Sequence, residues 1–174
     1  MPLIPAADSD LDAVAALVNS AYRGETSRAG WTTEADYLDG QRTDAATLRR
    51  DLAETAGAVL LTLRDAPLGP ILGTVWLEPA QDDAWYLGML TVNPELQARQ
   101  LGRTMLEAAE AYAVERGAKR IEMTVVQIRD TLIAWYERRG YARTGETRPF
   151  PYDDALFGVP RRDDLAFIVM EKRF

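Results

Sequence analysis

The chain contains neither cysteine nor histidine. This absence excludes disulfides, Cys/His zinc sites, thiol nucleophiles and every mechanism that needs an imidazole base. No metal site is expected. The longest apolar runs, AVAALV and LAFIVM, have six residues each, far fewer than the ~20 that cross a bilayer. No signal peptide opens the sequence, and a chain without cysteine suits a reducing compartment. We expect a soluble, cytoplasmic protein without a membrane partner.

Positive charge is also scarce. The 20 Lys and Arg against 27 Asp and Glu give a net charge of −7, which repels a phosphate backbone, so nucleic acid is not an expected partner. A length of 174 residues, 47% of them hydrophobic, suits one globular domain of ~150 residues. We therefore expect a single domain over 1–174.

Hydrophobic periodicity predicts alternating strands and helices. Asp8 or Ser9 and Asp44 can cap the first two helices, and Gly140 can end the fourth. Three strands joined by short turns form an antiparallel meander, and the strand, helix and strand after it form a parallel β-α-β unit. The fold class is therefore mixed α/β. Strands are predicted at 1–4, 58–63, 71–77, 84–92, 120–126, 141–147 and 165–172; the third and fourth helices are predicted after 97 and over 130–139.

The segment 87–104 joins the end of a strand to the start of an amphipathic helix. N–H groups of the first helical turn lack intrahelical partners and carry the positive end of the helix dipole, which makes an anion site. A pyrophosphate could bind the N–H groups of 99–103, with charge from Arg99 and Arg103 and a hydroxyl from Thr104. The alternative is that Gly102 only eases packing and that the arginines are solvated. No GxGxxG motif supports a dinucleotide-binding fold.

This segment resembles the GNAT superfamily of acyl-CoA-dependent N-acyltransferases. The signature is carried by Gln97, Leu101 and Gly102 after Val92 and Pro94, with Gln100 where the family has its first glycine. A second match is LIAWYERRGY at 132–141, with a tyrosine, three residues, a glycine and an aromatic residue. The resemblance implies a six- to seven-stranded mixed sheet with about four helices.

The resemblance also implies acetyl-CoA as cosubstrate and the residues that bind it. These are Leu90, Val92, Gln97, Ala98, Arg99, Gln100, Leu101, Gly102, Arg103 and Thr104, together with Arg129 at the position where the family often has an asparagine. The backbone N–H of Leu90 would stabilise the oxyanion, and Val92 would bond the pantetheine arm. Tyr136 would be the general acid, because a phenol with a pKa of ~10 is protonated at neutral pH. In the alternative interpretation, Tyr136 only packs against Tyr141 in the cap that ends the helix.

No residue is assigned firmly as the general base. Candidates are Glu34, Glu78, Asp82 and Glu122, although charges of this kind are more often solvated or paired in salt bridges.

Two long connections, 24–43 and 149–164, are expected to border the acceptor site. Arg28, Trp31 and Glu34 are the candidate substrate contacts. A guanidinium there suits an acceptor with a carboxylate, whereas the acidic chain suits a polyamine or a cationic drug.

Three functions remain open from the sequence. The first is acetyl-CoA-dependent N-acetyl transfer to the primary amine of a small molecule or peptide by direct attack in a ternary complex. The second is a non-catalytic acyl-CoA-binding or sensor module. The third is an anion site for a nucleotide or phosphate unrelated to CoA. A homodimer is also open, through Trp135 and the apolar strand 165–170.

Overall fold

A seven-stranded mixed sheet forms the centre of the molecule. The computed structural model describes residues 2–174, with the side chains of Gln97, Ala98 and Arg99 outside the described part. The strands of this sheet are β1 (Leu3–Pro5), β3 (Val59–Arg64), β4 (Ile71–Pro79), β5 (Ala84–Val92), β6 (Arg120–Val126), β7 (Ala142–Pro149) and β9 (Ala166–Arg173). They lie in the order β1-β3-β4-β5-β6-β9-β7, in which β5 and β6 are parallel and the other neighbours are antiparallel.

Helices cover both faces of the sheet. They are α1 (Leu11–Tyr22), α2 (Ala45–Glu54), α3 (Leu101–Val114) and α4 (Asp130–Glu137). Leu60 and Trp76 pack with α1 and α2, whereas their sequence neighbours Leu61 and Val75 pack with α3 and α4. Alternate residues of one strand therefore enter opposite layers, as the two-residue period of a strand requires.

Two of the predicted helix ends are confirmed, whereas the predicted start of the first helix is wrong: residues 8–10 form a separate 3-10 turn, and α1 begins after Asp10 rather than at a cap by Asp8 or Ser9. The Asp44 side chain accepts a hydrogen bond of 2.7 Å from the Thr47 N–H and caps α2. Gly140 has φ of +91° after α4, and the Tyr141 N–H donates to the Tyr136 carbonyl at 3.2 Å. The meander and the β-α-β unit are confirmed as well.

One feature departs from the predicted elements. The loops 24–43 and 149–164 meet through a small sheet of β2 (Leu38–Asp39) and β8 (Val159–Pro160), which the sequence pattern did not indicate. Before β2 the chain makes one turn, closed by the Leu38 N–H on the Glu34 carbonyl at 2.9 Å.

Strand β5 separates from β6 after the first third of its length. Their register ends at Tyr86 opposite Glu122. On the other side, β5 has one more residue than β4 between Gly88 and Thr91, and the extra residue is accommodated by Met89 at φ of +47°. Such a bulge bends and twists its strand. The result is a wedge between the carboxyl ends of β5 and β6.

Among the helices of residues 2–174, none combines the length and the apolar character that a membrane span requires.

Helix α3 lies so close to β4 that only glycine fits at position 73. A Cβ on Gly73 would lie 2.8 Å from the Thr91 carbonyl oxygen and closer still to the Met105 sulfur. We expect Gly73→Ala to lower the free energy of unfolding by about 1–3 kcal/mol through overpacking, measured by urea denaturation. Gly102→Ala is the control, because its Cβ would have ordinary contacts of 3.7 and 3.8 Å. Equal stability of Gly73→Ala and the wild type would contradict this close packing.

Candidate active site

A crevice of about 370 Å³ opens between the end of β5, the start of α3 and helix α4; we call it the α3 crevice. The residues that line it and that the sequence predicted as site residues are Trp31, Leu90, Val92, Gln100, Gly102, Arg103 and Tyr136. Sequence positions more than 100 residues apart therefore meet around one space.

The α3 crevice carries an excess of positive charge. Arg103 and Arg139 both line it. Burial, followed by the guanidiniums of Arg138 and Arg103, lowers the pKa of Arg139. The Arg139 Nε is buried without a hydrogen-bond partner among the described residues, and its guanidinium stacks 3.6 Å above the Trp135 ring. Crowded guanidiniums favour an anionic ligand such as a diphosphate.

The start of α3 leaves room for a ligand to approach the backbone. Gln100, which precedes the helix, has the left-handed conformation with φ of +58°. The glutamine therefore adopts the conformation that glycine would adopt more easily at this position. Gly102 presents bare backbone to the α3 crevice, with space for a Cβ. The turn predicted to bind phosphate thus has a left-handed residue at 100 and open backbone at 102 despite the substitution in the motif.

Leu90 lies on the bulge of β5, where the α3 crevice meets a second cavity. This cavity, of about 160 Å³, lies in the wedge between β5 and β6; we call it the arginine cavity because Arg23, Arg42 and Arg129 line it. Leu90, Leu132, Tyr22 and Tyr136 line both spaces. A group bound in either space can therefore contact these four residues, which form a shared wall.

Tyr22 positions the bulge. Its hydroxyl donates a hydrogen bond of 2.8 Å to the Leu90 carbonyl. This bond fixes the plane of the peptide group next to the expected oxyanion donor. Burial and the nearby Glu34 carboxylate raise the pKa of Tyr22, so its hydroxyl stays a neutral donor.

Tyr136 lies both in the cap of α4 and at the candidate site. Its ring packs edge-on against Tyr141 at 5.6 Å, as expected for the cap of α4. It also lines both spaces, and burial raises the pKa of its phenol above the ordinary value. The cap therefore holds a protonated phenol at the shared wall.

Glu34 is held between two arginines in the arginine cavity. Its Oε2 accepts a hydrogen bond from Arg23, and its Oε1 lies 3.6 Å from the Arg129 Nη1. Arg129, which the resemblance placed on the cofactor arm, thus lines the arginine cavity and pairs with Glu34. A second Arg23 nitrogen donates to the Phe157 carbonyl at 3.0 Å.

Three other predicted site residues, Arg28, Trp31 and Thr104, lie outside the arginine cavity. Arg28 is exposed and pairs with Glu25 and Asp36, and it lines neither space. Trp31 stacks on Trp135 with ring centroids 5.6 Å apart, on the α3 crevice rather than the arginine cavity. The Thr104 hydroxyl donates back to the Gln100 carbonyl at 3.4 Å.

Leu101 packs against the core. The side chains of Gln97, Ala98 and Arg99 lie outside the described residues.

Two of the three remaining base candidates have hydrogen-bond or ion-pair partners. Glu78 accepts a hydrogen bond of 2.6 Å from the Trp76 indole, and Glu122 pairs with Arg120 at 3.1 Å. Asp82 lies in the turn before β5 with φ of +56°.

Sequence reasoning missed Tyr22, Arg23, Arg42 and Arg139. Helical periodicity assigns Tyr22 to the apolar face of α1, and nothing in the local sequence distinguishes the three arginines from solvated ones. In the described part of the chain, no group of three His, Cys, Asp or Glu side chains could hold a metal ion.

Comparisons with known proteins agree with this geometry. The model of the Acetyltransferase (GNAT) family matches residues 14–141. The mycothiol acetyltransferase of Propionibacterium freudenreichii subsp. shermanii is 27% identical over 139 residues, which cover 78% of this chain and 41% of that protein. The chain thus spans less than half the length of this curated relative.

Solved structures share the fold. The ribosomal-protein-alanine N-acetyltransferase of Brucella melitensis superposes with a TM-score of 0.72 at 19% identity, covering 100% of both chains. A candidate streptothricin acetyltransferase of Bacillus anthracis str. Ames, solved with acetyl coenzyme A, has a TM-score of 0.55 at 16% identity and covers 70% of this chain and 65% of that one.

The fold and the family match define an acyltransferase-like domain, and the chain belongs to the Acetyltransferase (GNAT) family. The resemblance and the fold class inferred from the sequence are thereby confirmed.

The left-handed Gln100 yields a stability prediction. The left-handed conformation destabilises a non-glycine residue by about 1–2 kcal/mol. Glycine removes this strain but loses more backbone entropy on folding, so the net gain is only a part of that energy. We expect Gln100→Gly to raise the free energy of unfolding by about 0.5–1 kcal/mol and Gln100→Val to lower it, because a β-branched residue tolerates positive φ poorly. Urea denaturation measures both. A glycine variant less stable than the wild type would show that φ at this position is unstrained.

Proposed function

We propose that this protein is an acetyl-CoA-dependent N-acetyltransferase that acts on the primary amine of a small molecule or peptide, as a single domain over 1–174. One observation carries the proposal: Leu90 and Tyr136 line both the α3 crevice and the arginine cavity. An acyl donor in the first space and an amine in the second would meet at these residues. Direct transfer in a ternary complex requires this arrangement. It requires no covalent enzyme intermediate.

The α3 crevice suits acetyl-CoA, which would supply the thioester acyl group. First-turn N–H groups of α3, with the charges of Arg103 and Arg139, provide for a diphosphate. Val92 and Gly102 line the same crevice and leave its wall flat. The residues proposed to bind the cosubstrate are Leu90, Val92, Gln100, Gly102, Arg103 and Arg139.

Leu90 would provide the oxyanion donor. In the described registers it has no Cα partner on either neighbouring strand, because the bulge separates it from β4 and the wedge separates it from β6. The Met89 carbonyl, which shares its peptide plane with the Leu90 N–H, accepts a hydrogen bond of 2.9 Å from the Thr91 hydroxyl, so the N–H direction is set before substrate binds. A preorganised donor of this kind contributes roughly 3–4 kcal/mol to a transition state.

Tyr136 would hold the proton for the leaving thiolate. A C–N bond forms from the amine to the acetyl carbon, the C–S bond breaks, the amine nitrogen loses one proton to solvent, and the thiolate takes the phenolic proton of Tyr136. Because burial raises the pKa of this phenol, Tyr136 stays protonated up to a higher pH than an ordinary tyrosine does. Solvent then restores the proton.

Glu34 is proposed to anchor the arginines rather than to act as the base. Each of its carboxylate oxygens faces a guanidinium, so neither is free to take a proton from the acceptor. The positive cavity itself disfavours an ammonium group, which promotes loss of the amine proton on entry.

Removal of the phenolic hydroxyl tests the catalytic assignment. We expect Tyr136→Phe to lower kcat by about 10²-fold or more, because general acid catalysis contributes about 10²–10⁴-fold, while calorimetry gives an unchanged Kd for acetyl-CoA. Tyr112→Phe is the matched control, since Tyr112 lies on α3 against Trp85 and lines neither space. An unchanged kcat in Tyr136→Phe removes this residue from the mechanism. Binding of acetyl-CoA without transfer to any amine would instead identify an acyl-CoA sensor.

Obstruction of the α3 crevice tests the cosubstrate assignment. Gly102→Leu should fold, because a Cβ meets only ordinary contacts there and leucine favours a helix over glycine by up to ~1 kcal/mol. The longer side chain would occupy the crevice, so we expect the Kd for acetyl-CoA to rise at least tenfold in calorimetric titrations, with Tm unchanged or higher. Wild-type affinity in a folded Gly102→Leu would place the ligand elsewhere.

A further inference from the structure

The arginine cavity contains more positive than negative charge. Arg23, Arg42 and Arg129 line it, and Glu34 is the carboxylate among the described lining residues. The side chains of Arg23, Arg129 and Glu34 are only 4%, 9% and 11% exposed. Two buried guanidiniums therefore share one carboxylate. Burial of an uncompensated charge is costly, so an anion in this cavity would be stabilised.

Arg42 and Arg129 have donors to spare for such an anion. Arg23 already donates to Glu34 and to the Phe157 carbonyl. Within the described part of the chain, the structure shows no hydrogen bond from the guanidinium of Arg42 or Arg129. Arg42 lies 5.3 Å from the centroid of the Phe157 ring, and Arg129 lies 3.6 Å from Glu34.

The position of Arg42 gives it access to an entering molecule. Arg42 lines the arginine cavity and also an outer groove of about 350 Å³ beside α2. Its backbone N–H is fixed by the Asn19 side chain at 2.6 Å. Arg42 therefore borders both the outer groove and the arginine cavity, which Leu90 and Tyr136 also line.

We propose, on the basis of the function proposed above, that the acceptor is an amine that carries a carboxylate, as a free amino acid does, and that Arg42 and Arg129 bind this carboxylate. The planar fork of a guanidinium matches a carboxylate with two hydrogen bonds. The cavity volume of about 160 Å³ suits a group of amino-acid size. With its carboxylate on the arginines, the molecule presents its amine to the wall formed by Leu90 and Tyr136.

The positive charge of the arginine cavity favours an acceptor with a carboxylate over a cationic acceptor. A polyamine would bring a second ammonium group next to three guanidiniums, and like charges at short distance in a buried site repel strongly. The net charge of −7 is spread over the exposed surface, where solvent and salt screen it. The charge inside the cavity is screened far less.

Matched acceptors test the substrate class. We would measure kcat/KM for a panel of L-amino acids, for the carboxamide of each, and for linear diamines. The wild type should prefer the free acids to their carboxamides at least tenfold, and diamines should be poor acceptors. Equal use of acids and carboxamides, or preference for diamines, overturns the substrate class and leaves acetyl transfer itself established.

Substitutions of Arg42 test whether this residue causes the preference for free acids over carboxamides. Arg42→Gln should lower the ratio of acid to carboxamide tenfold or more and leave the Kd for acetyl-CoA unchanged, and Arg42→Lys should restore part of it. Arg49→Gln should keep the wild-type ratio, because Arg49 is exposed and pairs with Asp8 at 2.6 Å. A wild-type ratio in Arg42→Gln, with circular dichroism showing a folded protein, would contradict the role of Arg42.

Binding without catalysis separates this inference from the proposed function. Calorimetry of N-acetyl amino acids, with their carboxamides as controls, requires no turnover. If the acids bind through Arg42 while no amine is acetylated, the ligand class is supported and the proposed function fails. If the acids neither bind nor react, this inference is overturned.

Discussion

The bulge of β5 is the feature on which the site depends. The extra residue between Gly88 and Thr91 forces Met89 into positive φ, a strain that non-glycine residues carry at a cost of about 1–3 kcal/mol. Two hydrogen bonds hold it: the Thr91 hydroxyl donates to the Met89 carbonyl at 2.9 Å, and Tyr22 donates to Leu90. Without this bend β5 would continue beside β6, and the two spaces would have no common wall.

The end of helix α4 shows how a structural requirement and a chemical one coincide. The cap around Gly140 needs an apolar contact across its turn, and the rings of Tyr136 and Tyr141 provide it. The same contact excludes water from one side of Tyr136 and fixes its rotation. On the other side of the turn, the Tyr141 hydroxyl donates to the buried Glu110, whose second oxygen accepts from Lys172 at 2.7 Å. The phenol of Tyr136 is thus held by the core rather than by the ligand.

The sequence allowed prediction of whatever depends on near neighbours. Asp44 and Gly140 mark helix ends through bonds that span three to five residues, and apolar runs between turn residues identify the buried strands β3 and β4. The α3 crevice could also be anticipated, because one strand, turn and helix supply most of it. The pairing of Leu38 with Pro160, the bond from Tyr22 to Leu90 and the ion pair of Arg129 with Glu34 join positions 68 to 122 residues apart. No local preference encodes them, and so Arg28 stood out in the sequence while Arg42 did not.

The charges of the arginine cavity link folding to substrate choice. Glu34 connects the loop before β2 to α1 through Arg23 and to the start of α4 through Arg129, while Arg23 also reaches the loop before β8 through the Phe157 carbonyl. One carboxylate therefore closes both long loops over the wedge. Because it neutralises only part of the positive charge that it brings together, the closed site keeps an electrostatic preference for an anion. The arrangement that shapes the cavity thus also leaves the charge by which it would select its acceptor.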